Sequence, residues 1–340
     1  MTDHQVFELG DLTLQSGARL PGARIVYTTY GTLNGERSNA ILYPTSYSAQ
    51  HADIAWLIGP DKVLDPSRYF IVIPNMFTNG LSSSPSNTEM PNGPGSGPGH
   101  FPNITVADNV HAQRRLLIEA LGIDRLALVY GWSMGGQQAY HWGALYPEAV
   151  ARICVVCGSA RTAPHNQVFL EGVKAALTAD AAYRDGWFHE RPIRGLKAMA
   201  RVYAGWALSQ AFYREELWRG LGYGTLEQFL VESWEAQFLR RDANDLLAQI
   251  WTWWHGNISD NELYGGDLAA ALGAITAKAL VLPGQTDLYF RVTDNAREVA
   301  LMANAELRPI PSIWGHRAGN PRDTPEDTAF LRTAVAGLLA

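Results

Sequence analysis

Apolar residues along this chain follow two different rhythms. In the first forty residues they alternate with polar ones in extended segments such as Arg24-Ile-Val-Tyr-Thr-Thr-Tyr30, which predicts an antiparallel edge to a sheet. Further on, Ala40-Ile-Leu-Tyr43, Tyr69-Phe-Ile-Val-Ile73, Leu126-Ala-Leu-Val129 and Ile153-Cys-Val-Val156 are short unbroken apolar runs. Strands covered by helices on both faces have this character, so these runs predict the middle of a parallel sheet. Helical spacing over residues 109–120, just ahead of the Leu126 run, fits the same plan. The fold class expected is α/β with a mostly parallel central sheet.

The rhythm changes again from about residue 161 to 256, where strand patterns stop and helical spacing rich in Arg, Trp and Leu takes over. Ala279-Leu-Val-Leu282 and Glu306-Leu-Arg-Pro-Ile310 then resume the strands. The expected organisation is a core of residues 1–160 and 265–340, interrupted by an inserted helical cap, 161–264, that sits over the carboxyl ends of the strands. Trp206, Trp234 and the run Ile250-Trp-Thr-Trp-Trp254 either line an apolar pocket there or pack the cap onto the core. Residues 82–102, rich in Ser, Gly, Pro and Asn, predict a long loop that is an active-site wall or a surface excursion.

The chemistry centres on Leu126-Ala-Leu-Val-Tyr-Gly-Trp-Ser-Met-Gly-Gly136, which sets Ser133 between Gly131 and Gly135 directly after a strand. This G-x-S-x-G pattern predicts a sharp strand-to-helix turn that projects a nucleophilic hydroxyl, with helix N–H groups aimed at the same spot. Its partners are expected in the order acid, then histidine, each just past a strand. Asp287, shortly beyond the 279–282 strand, is assigned as the orienting carboxylate. His316, after the 306–310 strand, is assigned as the general base. Asp294 is the rival acid, but Val292-Thr-Asp-Asn-Ala-Arg-Glu-Val299 reads as a helix start with Asp294 as its N-cap. Among the other histidines only His255, beside Trp253 and Trp254, merits comparison. The oxyanion hole is expected from the amide of Met134 and one from the loop Pro44-Thr-Ser-Tyr-Ser48, with Thr45 the first choice and Ser46 the second. Pro44 has no N–H to offer.

Cys154 and Cys157 form a C-x-x-C spacing, but within a buried strand residues three apart point to opposite faces, so they read as small buried hydrophobes. Two thiols without further Cys or clustered His fall short of a structural zinc site, and no metal or cofactor is expected. In 340 residues the formal charge is −6 with no basic run, which argues against nucleic acid and anionic membranes as partners. No stretch approaches the ~20 apolar residues of a spanning helix, and Met1-Thr-Asp-His lacks the start of a signal peptide. The expected setting is the cytoplasm and the expected ligand a small molecule.

At this level of detail the chain resembles the homoserine O-acetyltransferases. The resemblance runs from about Tyr30 to Pro321 and rests on Phe101-Pro-Asn-Ile-Thr-Val-Ala-Asp108, the elbow with Met134-Gly-Gly136, Tyr146-Pro147, Val231-Glu-Ser233, Arg241-Asp-Ala-Asn244 and Asp287. It implies an α/β-hydrolase core, a helical cap that often carries a dimer interface, an acetyl-serine on Ser133, and the same triad. The chain departs from the family where the amino acid would be held. The family's arginine for the substrate carboxylate is matched by Arg201, but the tyrosine expected seven residues on is Leu208. The residue after the catalytic histidine, typically an aspartate for the substrate's ammonium, is Arg317, and a cation opposes that role. The family's Gly-Ser-Thr-Gly-Pro-Ser loop reads Leu81-Ser-Ser-Ser-Pro-Ser86, and Trp132 replaces a small residue before the serine, narrowing the acyl or alcohol pocket.

These departures favour hydrolysis. The chain is similar to the branch of the family that cleaves small alkyl acetates, and the expected function is a short-chain ester hydrolase working through an acyl-serine. Acetyl transfer from acetyl-CoA to homoserine or a related hydroxyl is the alternative that Arg201 supports. A silent fold acting as a ligand receptor is the third.

Overall fold

The computed structural model describes residues 4–90 and 101–340. Eight strands form one sheet: β1 (Gln5–Thr13), β2 (Arg19–Tyr30), β3 (Ala40–Leu42), β4 (Phe70–Pro74), β5 (Leu128–Trp132), β6 (Arg152–Val156), β9 (Lys278–Leu282) and β10 (Ala305–Leu307). Their spatial order is β1-β2-β4-β3-β5-β6-β9-β10. β1 pairs antiparallel with β2, and β2 antiparallel with β4; every pairing from β4 to β10 is parallel. The alternating N-terminal segments are therefore the antiparallel edge, and the unbroken apolar runs are the parallel centre. Two short strands, β7 (Tyr183–Arg184) and β8 (Trp187–Phe188), make a separate hairpin.

The runs are unbroken because both faces of the sheet are covered. Val72, Val129, Ile153 and Val155 face one apolar cluster with Val110, Leu116, Tyr140 and Trp142. Their neighbours Ile71, Ile73, Leu128, Tyr130, Cys154 and Val156 face another with Ile54, Leu331 and Val335. Side chains alternate across a strand, so each residue added to it extends one cluster or the other. Full burial of such an aliphatic side chain contributes about 1.5–3 kcal/mol, enough to fix the register. Cys157 breaks the alternation. It lies just past β6 with φ +45° and packs in the same cluster as Cys154. Both thiols are free and buried, as expected, but not on opposite faces.

The helix before the elbow strand begins earlier than its spacing suggests. It spans Val106–Arg115 and runs on as a wider turn, Leu116–Ala120. Thr105 caps it: the Thr105 hydroxyl accepts from the Asp108 amide, and Asp108 accepts from the Thr105 amide. Between β6 and β9 the main helices are Pro164–Thr178, Ile193–Ala207 and Ala243–Trp254. Their aromatic interior, with Phe169, Tyr203, Phe212, Phe229, Phe238 and Trp253, is continuous with Tyr47, Met134, Tyr289 and Phe290 from the strand ends. No helix among the described residues is long and apolar enough to cross a membrane.

Part of the predicted 82–102 loop, residues 91–100, lies outside the described residues. The part that is described is a wall of the fold. Ser82 and Ser83 accept hydrogen bonds through their hydroxyls from the Val26 and Arg24 amides at 3.0 and 2.9 Å, taking the place of a strand partner along β2.

Candidate active site

Ser133 occupies a strained corner between β5 and the helix Met134–Leu145, with φ 59° and ψ −126°. Its amide donates to the Val156 carbonyl of β6 at 2.9 Å, which anchors the corner to the sheet. Two of its glycines are steric requirements. A Cβ on Gly131 would lie 1.9 Å from the Gly135 carbonyl oxygen, and one on Gly135 would lie 2.9 Å from that of Pro44. Both glycines of the pattern are thus needed for the turn as it closes here.

His316 and Asp287 converge on that corner. His316 Nε2 is 2.9 Å from Ser133 Oγ, and His316 Nδ1 is 2.7 Å from Asp287 Oδ2. A carboxylate only accepts, so Nδ1 carries the proton and Nε2 is left to accept from the serine hydroxyl. The other carboxylate oxygen, Oδ1, accepts from the amides of Tyr289 at 2.7 Å and Phe290 at 3.3 Å. All three side chains belong to residues no more than 5% exposed. Buried charge needs such donors, and the turn Asp287–Phe290 supplies them from its own backbone. Asp294 takes no part. It lies inside the first turn of the helix Val292–Val299, whose N-cap is Arg291, so it is not the cap either. His255 stacks on Trp251 at 4.0 Å, at the end of the helix Ala243–Trp254, and lines a different groove.

The Cys157 sulfur, an Asp287 oxygen and a His316 nitrogen lie within 4.8 Å of one another, which are metal-ligand types at short range. The set does not fit a resident metal. Burial and the neighbouring Asp287 push the Cys157 thiol well above its ordinary range, so it stays protonated, and both His316 nitrogens already have partners.

The model of the α/β-hydrolase fold family matches residues 60–306 of the chain. The chain belongs to the α/β hydrolases. An ethyl acetate hydrolase of Pseudomonas veronii is 39% identical to this hydrolase over 92% of its length and 90% of the relative's. A homoserine O-acetyltransferase of Chlorobaculum tepidum is 31% identical, covering 92% and 90%. Among solved structures, an acetylester hydrolase from Corynebacterium glutamicum superposes with a TM-score of 0.92 at 37% identity, covering 98% of this chain and 96% of the other.

In this α/β hydrolase the loop expected to supply the second oxyanion amide does reach the cavity, but not through Thr45. The Thr45 amide donates to the Pro74 carbonyl at 3.2 Å, continuing the β3–β4 ladder, and so faces away from the nucleophile. The Thr45 hydroxyl accepts from the Met76 amide at 2.9 Å, and its carbonyl accepts from Gln138 Nε2 at 2.9 Å, so the residue is spent on structure. Ser46, the second choice, and Tyr47 line the cavity with Ser133, and their amides donate to no group among the described residues. Met134 opens the helix after the elbow, where N–H groups have no intrahelical partner.

The cavity over Ser133 is about 200 Å³ and draws its walls from both the strand ends and the helical block, including Trp132, Tyr203, Trp234 and Arg317. Trp132 does more than narrow it, for its indole stacks on His316 with centroids 5.1 Å apart. Of the tryptophans singled out by sequence, Trp234 lines this cavity. Trp253 is fully buried against Phe290, and Trp206 packs on Phe169.

Two predicted contacts with substrate are not formed. Arg201 bonds Glu235 through Nε at 2.7 Å and Glu227 through both terminal nitrogens, and these hydrogen bonds raise its pKa. Its charge is neutralised on the far side of the helix Ile193–Ala207, and it does not line the cavity. Leu208 is 1% exposed within the aromatic interior and is likewise absent from the cavity wall. Arg317 does line it, pairing with Asp323 at 3.0 Å, while burial pushes its pKa down. Sequence reasoning missed Tyr203, Tyr289, Arg241 and Gln249. The Tyr289 amide was legible as the Asp-plus-two position of an Asx turn, and Arg241 stood in the Arg241-Asp-Ala-Asn244 motif without a role assigned to it; nothing local marks Tyr203 or Gln249.

Proposed function

We propose that this chain is a serine ester hydrolase that cleaves short-chain, acetate-type esters through an acyl-serine on Ser133. The observation that carries the reading is the unbroken Ser133–His316–Asp287 hydrogen-bond chain opening into a small cavity. In the reaction Ser133 Oγ attacks the ester carbonyl carbon as its proton passes to His316 Nε2, and Asp287 stabilises the imidazolium. The amides of Met134 and of Ser46 or Tyr47 receive the oxyanion. His316 then protonates the leaving alkoxide and the alcohol departs. Water attacks the acyl-serine, gives its proton to His316, and the acid leaves as that proton returns to Ser133 Oγ.

The charge around the cavity supports water over homoserine as the acceptor. Its ionised walls are Arg240, Arg241, Arg317 and Arg322 against Asp53, which opposes an ammonium-bearing acceptor. Arg201, the feature that favoured acetyl transfer, is held by two glutamates. A relative that hydrolyses ethyl acetate supports the same choice. The test is acetate release from ethyl acetate and from acetyl-CoA, each with and without homoserine, with Ser133→Ala as control. Ester cleavage indifferent to homoserine is expected; homoserine-dependent consumption of acetyl-CoA would establish a transferase.

In the same reading residues 161–264 act as the cap, and the enzyme is a cytoplasmic homodimer joined through it. Val168, Ile193, Leu226 and Val231 are exposed apolar residues on that block and support a covered face. Light scattering of the purified chain tests the dimer.

A further inference from the structure

The residue that follows the free amides of Ser46 and Tyr47 is held from outside the sheet. Ser48 sits in the left-handed region, φ 58°, which an L-residue keeps only when its surroundings enforce it. Both polar groups of its backbone are bonded to side chains of the helical block. Its N–H donates to Gln249 Oε1 at 2.7 Å, and its carbonyl accepts from Arg241 Nε at 2.6 Å. Each holder is itself fixed. Gln249 Nε2 donates to the Thr78 carbonyl at 3.0 Å, and an Arg241 terminal nitrogen pairs with Asp53, which also accepts from the Gln50 amide at 2.8 Å. Between these anchors the Tyr47 ring stacks on Tyr203, centroids 5.7 Å apart and planes nearly parallel at 6°.

Gln249 is 1% exposed and does not line the catalytic cavity, so it shapes no part of the pocket. A buried glutamine with both ends of its amide engaged across 201 residues of sequence on one side and 171 on the other is a clamp. The geometry points to Gln249 and Arg241 as positioning residues that, through Ser48, aim the Ser46 and Tyr47 amides and thereby complete the oxyanion hole. The core alone supplies only the Met134 half; the block inserted between β6 and β9 sets the other. The inference rests on the serine-hydrolase reading of the site. Oxyanion donors act on the transition state and lose their effect when misaimed, so loosening the clamp lowers kcat and leaves KM nearly unchanged.

The experiment uses the full chain as wild type, Gln249→Ala, Gln249→Glu and Arg241→Lys. Three quantities are read: ethyl acetate kinetics, the dissociation constant of a short alkyl boronic acid, and the rate constant for fluorophosphonate labelling. In the boronate adduct Ser133 Oγ bonds to boron, its proton goes to His316, and a boron-bound oxygen takes the oxyanion position. Gln249→Ala is expected to lower kcat by about tenfold or more, with KM within about threefold and boronate binding weakened in step with kcat. Gln249→Glu keeps an acceptor for the Ser48 amide and is expected to recover part of the loss. A rise in KM alone, a fall in kcat with unchanged boronate affinity, or no recovery in a Gln249→Glu protein of wild-type melting temperature overturns the inference. If Gln249→Ala does not fold, Arg241→Lys carries the comparison, because it keeps a cation beside Asp53 while losing the fixed bond to Ser48; Arg241 also lines the cavity, so the criteria for it are a fall in kcat with weakened boronate binding in step, and unchanged boronate affinity overturns the inference. Wild type that cleaves no ester would sink the esterase reading, but labelling still reads the clamp. There an O–P bond forms at Ser133, fluoride leaves, and the proton passes to His316. Equal labelling rates in wild type and the clamp variants would overturn the inference on that ground alone.

Discussion

The indole of Trp132 lies against the imidazole of His316, planes 28° apart, and its Nε1–H donates to the His316 carbonyl at 3.3 Å. The residue before Ser133 thus braces the His316 ring. Tyr289, its ring 4.8 Å from that of His316 in an edge-on arrangement, adds a second wall. Together they hold the imidazole in the plane that joins Ser133 to Asp287.

Gly319 leaves room for this arrangement. A Cβ there would lie 2.5 Å from Trp132 Cδ1 and 2.8 Å from the Cys157 sulfur. Gly319→Ala must therefore shift the indole or the thiol behind Asp287. The expected result is a loss of about 1–3 kcal/mol in stability by urea unfolding, together with a lower kcat. A variant of wild-type stability and activity would show that Trp132 is free to move.

Ser133→Ala removes the nucleophile and leaves the corner's backbone bonds in place. Ester hydrolysis should fall by roughly 10³-fold or more, and fluorophosphonate labelling should vanish, while thermal unfolding stays near wild type. Residual labelling at another site would point to a different nucleophile.

Asp287→Asn is a test of tautomer. The Asn oxygen can still accept from the Tyr289 and Phe290 amides, which turns its NH₂ toward His316 Nδ1. Nδ1 must then accept, the proton moves to Nε2, and the base is lost. A drop in kcat of roughly 10³–10⁴-fold at neutral pH is expected from stopped-assay kinetics, with little change in KM.

Asp245 links stability to pH. Its carboxylate accepts from the Ser86 amide and hydroxyl, and burial, with Asp242 nearby, raises its pKa to about 7. An unfolded Asp titrates near 4, so from about pH 4 to 7 the folded chain binds a proton that the unfolded chain has released. The contribution of this group is full below the unfolded value, declines as pH rises, and is gone above the folded value. Asp245→Asn removes the charge and keeps the shape. It should stabilise the protein by at least about 1 kcal/mol more at pH 8 than at pH 5, measured by denaturant titration. Equal effects at the two pH values would mean that Asp245 is ionised throughout.

Much of this molecule is written in short-range patterns. The unbroken runs at β3, β4, β5, β6 and β9, the glycines that permit the Ser133 corner, and the placement of Asp287 and His316 just past strands each depend on a few consecutive residues. A local pattern fixes backbone direction, and in a parallel sheet all carboxyl ends share one edge, so these three residues lie at the same edge of the sheet; strand order and the loops bring them into contact. What the tertiary structure decided is which groups are left over once distant partners are satisfied. The Thr45 amide is taken by Pro74, leaving the Ser46 and Tyr47 amides free; Arg201 is taken by Glu227 and Glu235 and so does not face the cavity. Ser48 is held by a glutamine 201 positions away. Such pairings are competitions among polar groups that burial forces to find partners, and their winners follow from packing in three dimensions rather than from spacing along the chain.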